Sequence, residues 1–162
     1  AMPGRDPVCS HGKELVMTIR FFTEEDVPAA AELEQLCFPD PWSQKGLRDT
    51  LREEGSCFLA AADKNGALCG YLNATWVLDE CNLNRICVHP DFRKQGIGAH
   101  LLTKLQDFCK THEISHIFLE VRESNAAARN LYRGHGFREL GKRPRFYENP
   151  EEDAVLMEWT GE

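Results

Sequence analysis

Asn84-Arg85-Ile86-Cys87-Val88-His89-Pro90-Asp91-Phe92-Arg93-Lys94-Gln95-Gly96-Ile97-Gly98-Ala99 reads as a strand, a tight basic turn with two glycines, and the start of a helix. Backbone N–H groups freed by such a turn converge with the orphan N–H groups of the helix's first turn, and together they hold an anion. Gly96 and Gly98 let the backbone approach a ligand with no Cβ in the way. Arg93 and Lys94 add positive charge beside the site. A phosphorylated ligand is therefore expected here.

The sequence around the turn narrows the ligand. No Lys-Ser or Lys-Thr follows Gly98, so this is not a Walker loop. A Rossmann dinucleotide site is the nearer rival, because Glu120 lies at about the distance of a ribose-binding acid. Against it, Leu101 stands where a third glycine belongs. The turn before Gly96 is also too long and too basic, and there is no second βαβ half.

Downstream, Leu101, Leu102, Leu105, Phe108 and Cys109 recur at helical spacing to about His112. A strand follows from His116 to Val121, with Ile117, Leu119 and Val121 on one face. Ser124 is placed to cap a helix in which Ala127, Ala128, Leu131 and Tyr132 share a side, and Gly134 and Gly136 stop it. Phe137 to Leu140 and Ala154 to Trp159 read as two closing strands joined by the polar segment Lys142 to Asp153.

Upstream, Met17 to Phe22 reads as a first strand. Asp26 is placed to cap a helix running to about Leu36, with Pro28 in its first turn. Ser43 can cap a second helix, with Trp42 and Leu47 as a hydrophobic staple. Cys57 to Ala62 is a buried type of strand, and Asp63-Lys64-Asn65-Gly66 is a hairpin signal. A long strand from Ala67 to about Leu78 and a turn at Asp79-Glu80 lead into the strand ending at Val88. Strands come first, then helix and strand alternate around the glycine turn. That order predicts an α/β protein with a mixed sheet and helices on both faces.

Bulk properties bound the partners. With 162 residues, a single domain over 17–162 is expected after a loose tail at 1–16. The net charge of −7 disfavours nucleic acid and suits a basic protein or peptide. No apolar run approaches the ~20 residues that span a bilayer, so no membrane partner is expected. The seven cysteines are odd in number and scattered, with no C-x-x-C. They read as core residues of a cytoplasmic protein rather than as disulfides or a zinc site. The six histidines form no ligand pattern, so no metal is assigned.

Four places offer chemistry, each with a plainer alternative. Glu120 interrupts the apolar run Ile117-Phe118-Leu119-Glu120-Val121. It is either paired, for instance with Arg122, or a general base for an amine. Tyr132 is either a core tyrosine with its hydroxyl at the rim or a general acid. Asn125 either caps a helix or hydrogen-bonds an amide-rich ligand. Cys37-Phe38-Pro39-Asp40-Pro41-Trp42, unusually apolar for a connection, is either packed on the core or one wall of a substrate groove. Cys87 lies beside the glycine turn but reads as a packing residue of a buried strand.

Taken together, these residues resemble the GNAT superfamily of acetyl-CoA-dependent N-acetyltransferases. Arg93-Lys94-Gln95-Gly96-Ile97-Gly98 is similar to its pyrophosphate-binding signature. Leu119-Glu120-Val121-Arg122, Ser124 to Ala128, Leu131-Tyr132 and Gly136-Phe137 are similar to the second half of its fold. Within it, Phe38, Pro41-Trp42-Ser43 and the segment near Phe146-Tyr147 resemble the RimI branch, the ribosomal-protein-alanine N-acetyltransferases. The resemblance covers about residues 17–159. It departs at Phe146-Tyr147, where the family often has Tyr-Tyr, and at Asp40-Pro41, an apparent insertion.

The resemblance implies a mixed, mostly antiparallel sheet of about six to seven strands flanked by about four helices. It implies acetyl-CoA as co-substrate, with pantetheine on the backbone of Ile86, Cys87 and Val88 and pyrophosphate on the turn from Arg93 through Gln95 to Ala99. Asn125 would also contact the cofactor, Glu120 would be the base and Tyr132 the acid. Phe38, Trp42 and Tyr147 would face the acceptor. That acceptor would be a protein N-terminus, in first place a basic ribosomal protein beginning with alanine, met by a monomer or weak dimer. A lysine side chain or small amine as acceptor, or a non-catalytic acetyl-CoA sensor, are the alternatives.

Overall fold

The computed structural model, which describes residues 17–161, builds one sheet from seven strands. They are β1 (Met17–Phe21), β2 (Ser56–Asp63), β3 (Leu68–Val77), β4 (Glu80–Val88), β5 (His116–Arg122), β6 (Arg138–Tyr147) and β7 (Glu152–Thr160). The helices are α1 (Val27–Cys37), α2 (Gln44–Leu51), α3 (Ile97–Thr111) and α4 (Ala126–Gly134). The order across the sheet is β1-β2-β3-β4-β5-β7-β6, and only β4 and β5 pair in parallel. The mixed, mostly antiparallel sheet with four helices is the expected architecture. The expected tail at 1–16 lies outside the described residues.

Apolar periodicity puts a core on each face. On one, Leu101, Leu102, Leu105 and Cys109 of α3 and Tyr132 of α4 pack with Ile117, Leu119 and Val121 of β5. On the other, Val27, Ala30 and Leu33 of α1 and Leu47 of α2 pack with Phe58, Ala60 and Tyr71. Glu120, between Leu119 and Val121 on a strand, must therefore point to the α1–α2 face.

The feature that makes a site is a split in the sheet. β4 and β5 pair only through Glu80–Asn82 and His116–Phe118. Just beyond, Asn73 faces Arg85 while Ala74 faces Leu83, so Asn84 is an extra residue that bulges β4. A bulge bends its strand. The Asn84 amide holds this one in place by donating to Asn73 Oδ1 at 3.0 Å and Thr75 Oγ1 at 3.1 Å. The rest of β4, through Val88, has no strand on its β5 side.

Three local expectations are corrected. Asp26 does not cap α1 by accepting from its N–H groups. It reaches back to the Thr23 N–H at 2.8 Å and to Arg20 at 2.8 and 2.9 Å, closing a short 3-10 turn. Asn125, not Ser124, caps α4, accepting from the Ala128 N–H at 3.1 Å. The Ser124 N–H instead donates to Glu152 Oε2 at 2.6 Å. Finally, Lys142 to Asp153 is no connector. β6 runs ten residues, and the turn to β7 is only Glu148 to Glu151. Arg138 to Phe146 lie on the sheet's outer edge and are all exposed, so no apolar alternation marks them as a strand.

Candidate active site

The glycine turn closes as its sequence suggests, with one refinement. The helix begins at Ile97, and Gly96 is its N-cap at φ 85°, a conformation that glycine adopts freely. The first bond inside the helix is His100 N–H to the Gly96 carbonyl at 3.0 Å. The N–H groups of Ile97, Gly98 and Ala99 precede that bond and are left for a ligand. A Cβ on Gly98 would stand 3.5 Å from Leu131 and 4.0 Å from Val88, ordinary contacts. Packing therefore does not demand glycine there. Its missing side chain keeps open the space where α3, α4 and the end of β4 meet. The Arg93 guanidinium turns away from a ligand, donating from Nε to the Val88 carbonyl at 3.1 Å and from Nη2 to Cys37 Sγ at 3.4 Å.

Backbone direction along β4 follows from its ladder. The His89 N–H donates to the Cys69 carbonyl at 2.8 Å. Alternation then turns the polar groups of Cys87 toward β3 and those of Ile86 and Val88 toward the gap. The Val88 carbonyl is already engaged by Arg93 and by Cys37 Sγ at 3.6 Å, which leaves its N–H. Cys87 is buried beneath, as a packing residue. The Cys37 thiol is pulled down to about 6 by its hydrogen bond with Cys87 and by Arg93, against the upward push of burial.

A cleft of about 810 Å³ occupies the split, and Phe38, Trp42, Ile86, Glu120, Asn125, Tyr132 and Tyr147 all line it. The turn residues Arg93 to Ala99 lie outside this lining. Glu120 keeps 36% of its side chain exposed and is not paired with Arg122; its ionic neighbour is Arg143, at 3.6 Å. Arg122 is occupied with the β6–β7 turn, donating to the carbonyls of Pro150 and Glu148 and lying 4.5 Å over the Tyr147 ring. Tyr132 is buried and packs on Phe137. Burial first, then the neighbouring Tyr147, pushes its phenol up, so it stays protonated at neutral pH. Tyr147 is likewise pushed up to about 12 by burial and by the Glu120 carboxylate.

Sequence reasoning missed the group that shapes the Phe38–Trp42 wall. Glu34 is fully buried and accepts from the Trp42 N–H at 2.7 Å, from Arg85 Nη2 at 3.0 Å and from the Tyr71 hydroxyl. Arg85 also donates to the Asp40 carbonyl at 2.9 Å, with its guanidinium 4.0 Å from the Phe38 ring and 4.8 Å from the Trp42 ring. The Asn149 amide donates to Asp40 Oδ1 at 3.3 Å, tying the β6–β7 turn to the same loop. The available signal was weak: a glutamate beside Leu33 on an apolar helix side, and an arginine in an apolar strand.

Among the described residues, no cluster of His, Cys, Asp or Glu could hold a metal ion, and no helix is long and apolar enough to cross a membrane.

Comparison with known proteins agrees with this geometry. Residues 27–137 match the Acetyltransferase (GNAT) family. The chain is 37% identical over 142 residues to ribosomal protein bS18-alanine N-acetyltransferase of Escherichia coli strain K12, covering 86% of this chain and 95% of that one. It is 32% identical over 143 residues to the enzyme of the same name from Haemophilus ducreyi, covering 86% and 97%. The crystal structure of the ribosomal-protein-S18-alanine N-acetyltransferase from Escherichia coli superposes with a TM-score of 0.83 at 35% identity, over 90% of this chain and 94% of that one. The NatC complex bound to Gag peptide and CoA shares the fold, with a TM-score of 0.82 at 22% identity over 91% and 100%. The split sheet, the glycine turn and these matches lead to one conclusion: the chain belongs to the GNAT family of acetyl-CoA-dependent N-acetyltransferases.

Proposed function

We propose that the chain acetylates the N-terminal α-amino group of a protein, with a ribosomal protein beginning with alanine as the leading acceptor. The observation that carries this reading is that Glu120 and Tyr132 line one gap from opposite faces of the sheet. Glu120 shares its face with Phe38, Trp42 and Arg85, and Tyr132 lies on the α3 face. A base on the acceptor side and an acid on the thiol side is what direct transfer through a gap requires. The names of its relatives and the net charge of −7 favour a basic ribosomal protein as partner.

The donor groups of the chain fit acetyl-CoA. Ile97, Gly98 and Ala99 N–H groups, with Lys94, would hold the pyrophosphate. The Val88 N–H and the outward C=O of Ile86 would hold the pantetheine amides, and the Asn125 NH₂ group, left over from capping, would assist. Acetyl-CoA, when bound, supplies the thioester carbonyl. An α-amine with pKa about 7.7–8.0 is mostly protonated at neutral pH, so Glu120 takes its proton, directly or through water. The Ile86 N–H, which faces the gap lined by Glu120 and Tyr132, donates to the oxygen on which negative charge grows. The freed amine nitrogen then bonds to the acetyl carbon, the carbon–sulfur bond breaks with Tyr132 donating to the sulfur, and the second proton lost from the nitrogen restores Tyr132 through solvent.

The test is acetyl transfer to a panel of free N-terminal peptides, blocked peptides containing lysine, and small amines. Alanine-initiated free peptides are expected to be the best acceptors. Glu120→Gln should lower turnover at pH 7 by roughly 100-fold or more with little loss of acetyl-CoA affinity. Tyr132→Phe should slow transfer while acetyl-CoA still binds. Wild-type rates in both variants would overturn the mechanism. Transfer only to lysine or small amines would overturn the acceptor. Tight acetyl-CoA binding with no turnover on any amine would favour a sensor.

A further inference from the structure

Arg85 stands on the acceptor face with three of its five N–H donors unfilled. Nη2 serves both Glu34 and the Asp40 carbonyl. Nε is sealed from solvent without a partner. Among the described residues Nη1 has no acceptor, and Arg85 lines the cleft with 17% of its side chain exposed. The open donor is therefore Nη1. Its plane cannot swing to find another partner, because the Phe38 and Trp42 rings lie against it and the buried Glu34 carboxylate holds its charged end. A guanidinium fixed this way, with N–H groups facing a cleft, is a receptor for an oxygen atom.

The surroundings decide which oxygen. Glu34 already balances the charge of Arg85, and on the same cleft lining Asp40, Glu53 and Glu120 outnumber the one further cation, Arg122, which Glu152 pairs. A substrate carboxylate would add negative charge to an acidic rim, whereas a neutral carbonyl adds none. Position limits where that carbonyl lies. Arg85 adjoins Ile86 on β4, and its side chain lies on the acceptor face against Phe38 and Trp42. An extended acceptor whose nitrogen sits near the Ile86 N–H passes this side chain within its first three residues, about 10 Å of chain at ~3.3 Å per residue.

We propose that Arg85 Nη1 receives a backbone carbonyl from within the first three residues of the acceptor, so that the enzyme selects peptide N-termini over isolated amines. The inference rests on the acceptor reading given above and adds a residue that measures chain rather than amine.

The experiment compares wild type with Arg85→Lys on C-terminally amidated, alanine-initiated peptides of one to five residues, with KM measured for peptide and for acetyl-CoA. Lysine keeps a positive charge for Glu34 but has no second planar nitrogen. In wild type, peptide KM should fall about tenfold as the chain lengthens from one to four residues, the size of one hydrogen bond to a charged group. In the variant that gain should vanish, while KM for acetyl-CoA stays within twofold (roughly the scatter of such comparisons). Transfer with a flat length profile in wild type overturns the inference even if Arg85→Lys does not fold. An unchanged length profile in a folded variant overturns it as well. Absence of transfer to every peptide defeats the acceptor reading itself, and with it this inference.

Discussion

The two halves of the cleft are made of different material. The half proposed for the cofactor is backbone: the end of β4 from Ile86 and the turn through Ala99 present N–H and C=O groups whose direction follows from a bulge, an antiparallel ladder and a helix start. The half proposed for the acceptor is side chain, drawn from far along the sequence. Glu34 meets Tyr71 across 37 positions and Arg85 across 51, and Asp40 meets Asn149 across 109. The difference separates chemistry from selectivity. A backbone site survives most substitutions that leave the turn intact. A site of interlocked side chains can change its acceptor without disturbing the cofactor.

The largest effect is expected at the hub of the acceptor half. Glu34→Ala leaves the Arg85 charge unbalanced and the Trp42 N–H and Tyr71 hydroxyl without their acceptor, around a carboxylate that is itself fully buried. Breaking a buried pair from one side costs about 3–5 kcal/mol. At ~2–4 °C per kcal/mol for a domain of this size, Tm should fall by roughly 10 °C in a thermal melt. In the protein that remains folded at low temperature, peptide KM should rise and acetyl-CoA affinity should hold. Equal losses of both would break the separation of the two halves.

The same division explains what could be read in the sequence. The glycine turn, the flanking strand and the α3 helix are local, so periodicity and Gly96 announced them, and Glu120 stood out against its apolar strand. Glu34 did not, because Glu32 and Glu34 look alike until the fold brings Tyr71 and Arg85 to only one of them. β6 was hidden for a related reason. A strand on the outer edge with every residue from Arg138 to Phe146 exposed carries no alternation, and its pairing with β7 lies in the backbone. Arg122 and Glu120 share a strand face, which suggested an ion pair. The β6–β7 turn takes Arg122 instead, through contacts with Glu148, Pro150 and Glu152 that no local pattern encodes.

A smaller effect, of opposite kind, is expected from Gly98→Val. The backbone there is helical and a Cβ would make only ordinary contacts, so Tm should stay within about 2 °C. The branched side chain would, however, fill the space left open between Val88 and Leu131. A clash of about 1–3 kcal/mol against the bound cofactor corresponds to a loss of roughly 5- to 150-fold in acetyl-CoA affinity, measurable by calorimetric titration. Peptide KM at saturating acetyl-CoA should barely move. A variant that binds acetyl-CoA as wild type does would remove this glycine from the cofactor half.

The smallest effect should touch neither half. Asp26, which holds Arg20 and the Thr23 N–H ahead of α1, lies away from the cleft lining. Burial raises its carboxyl pKa, but the Arg20 and Thr23 bonds together outweigh that and hold it below the usual carboxylate range. A lowered folded pKa means that its contribution is fully present above the unfolded value of about 3.9 and is lost as pH falls through the folded one. Asp26→Asn should therefore cost about 1 kcal/mol at pH 7, and the gap to wild type should narrow as denaturation is repeated below about pH 4. Both KM values should stay at wild-type level. If either moved, the 3-10 turn before α1 would be coupled to the Glu34 hub through that helix, and the acceptor half would extend to the helix's first turn.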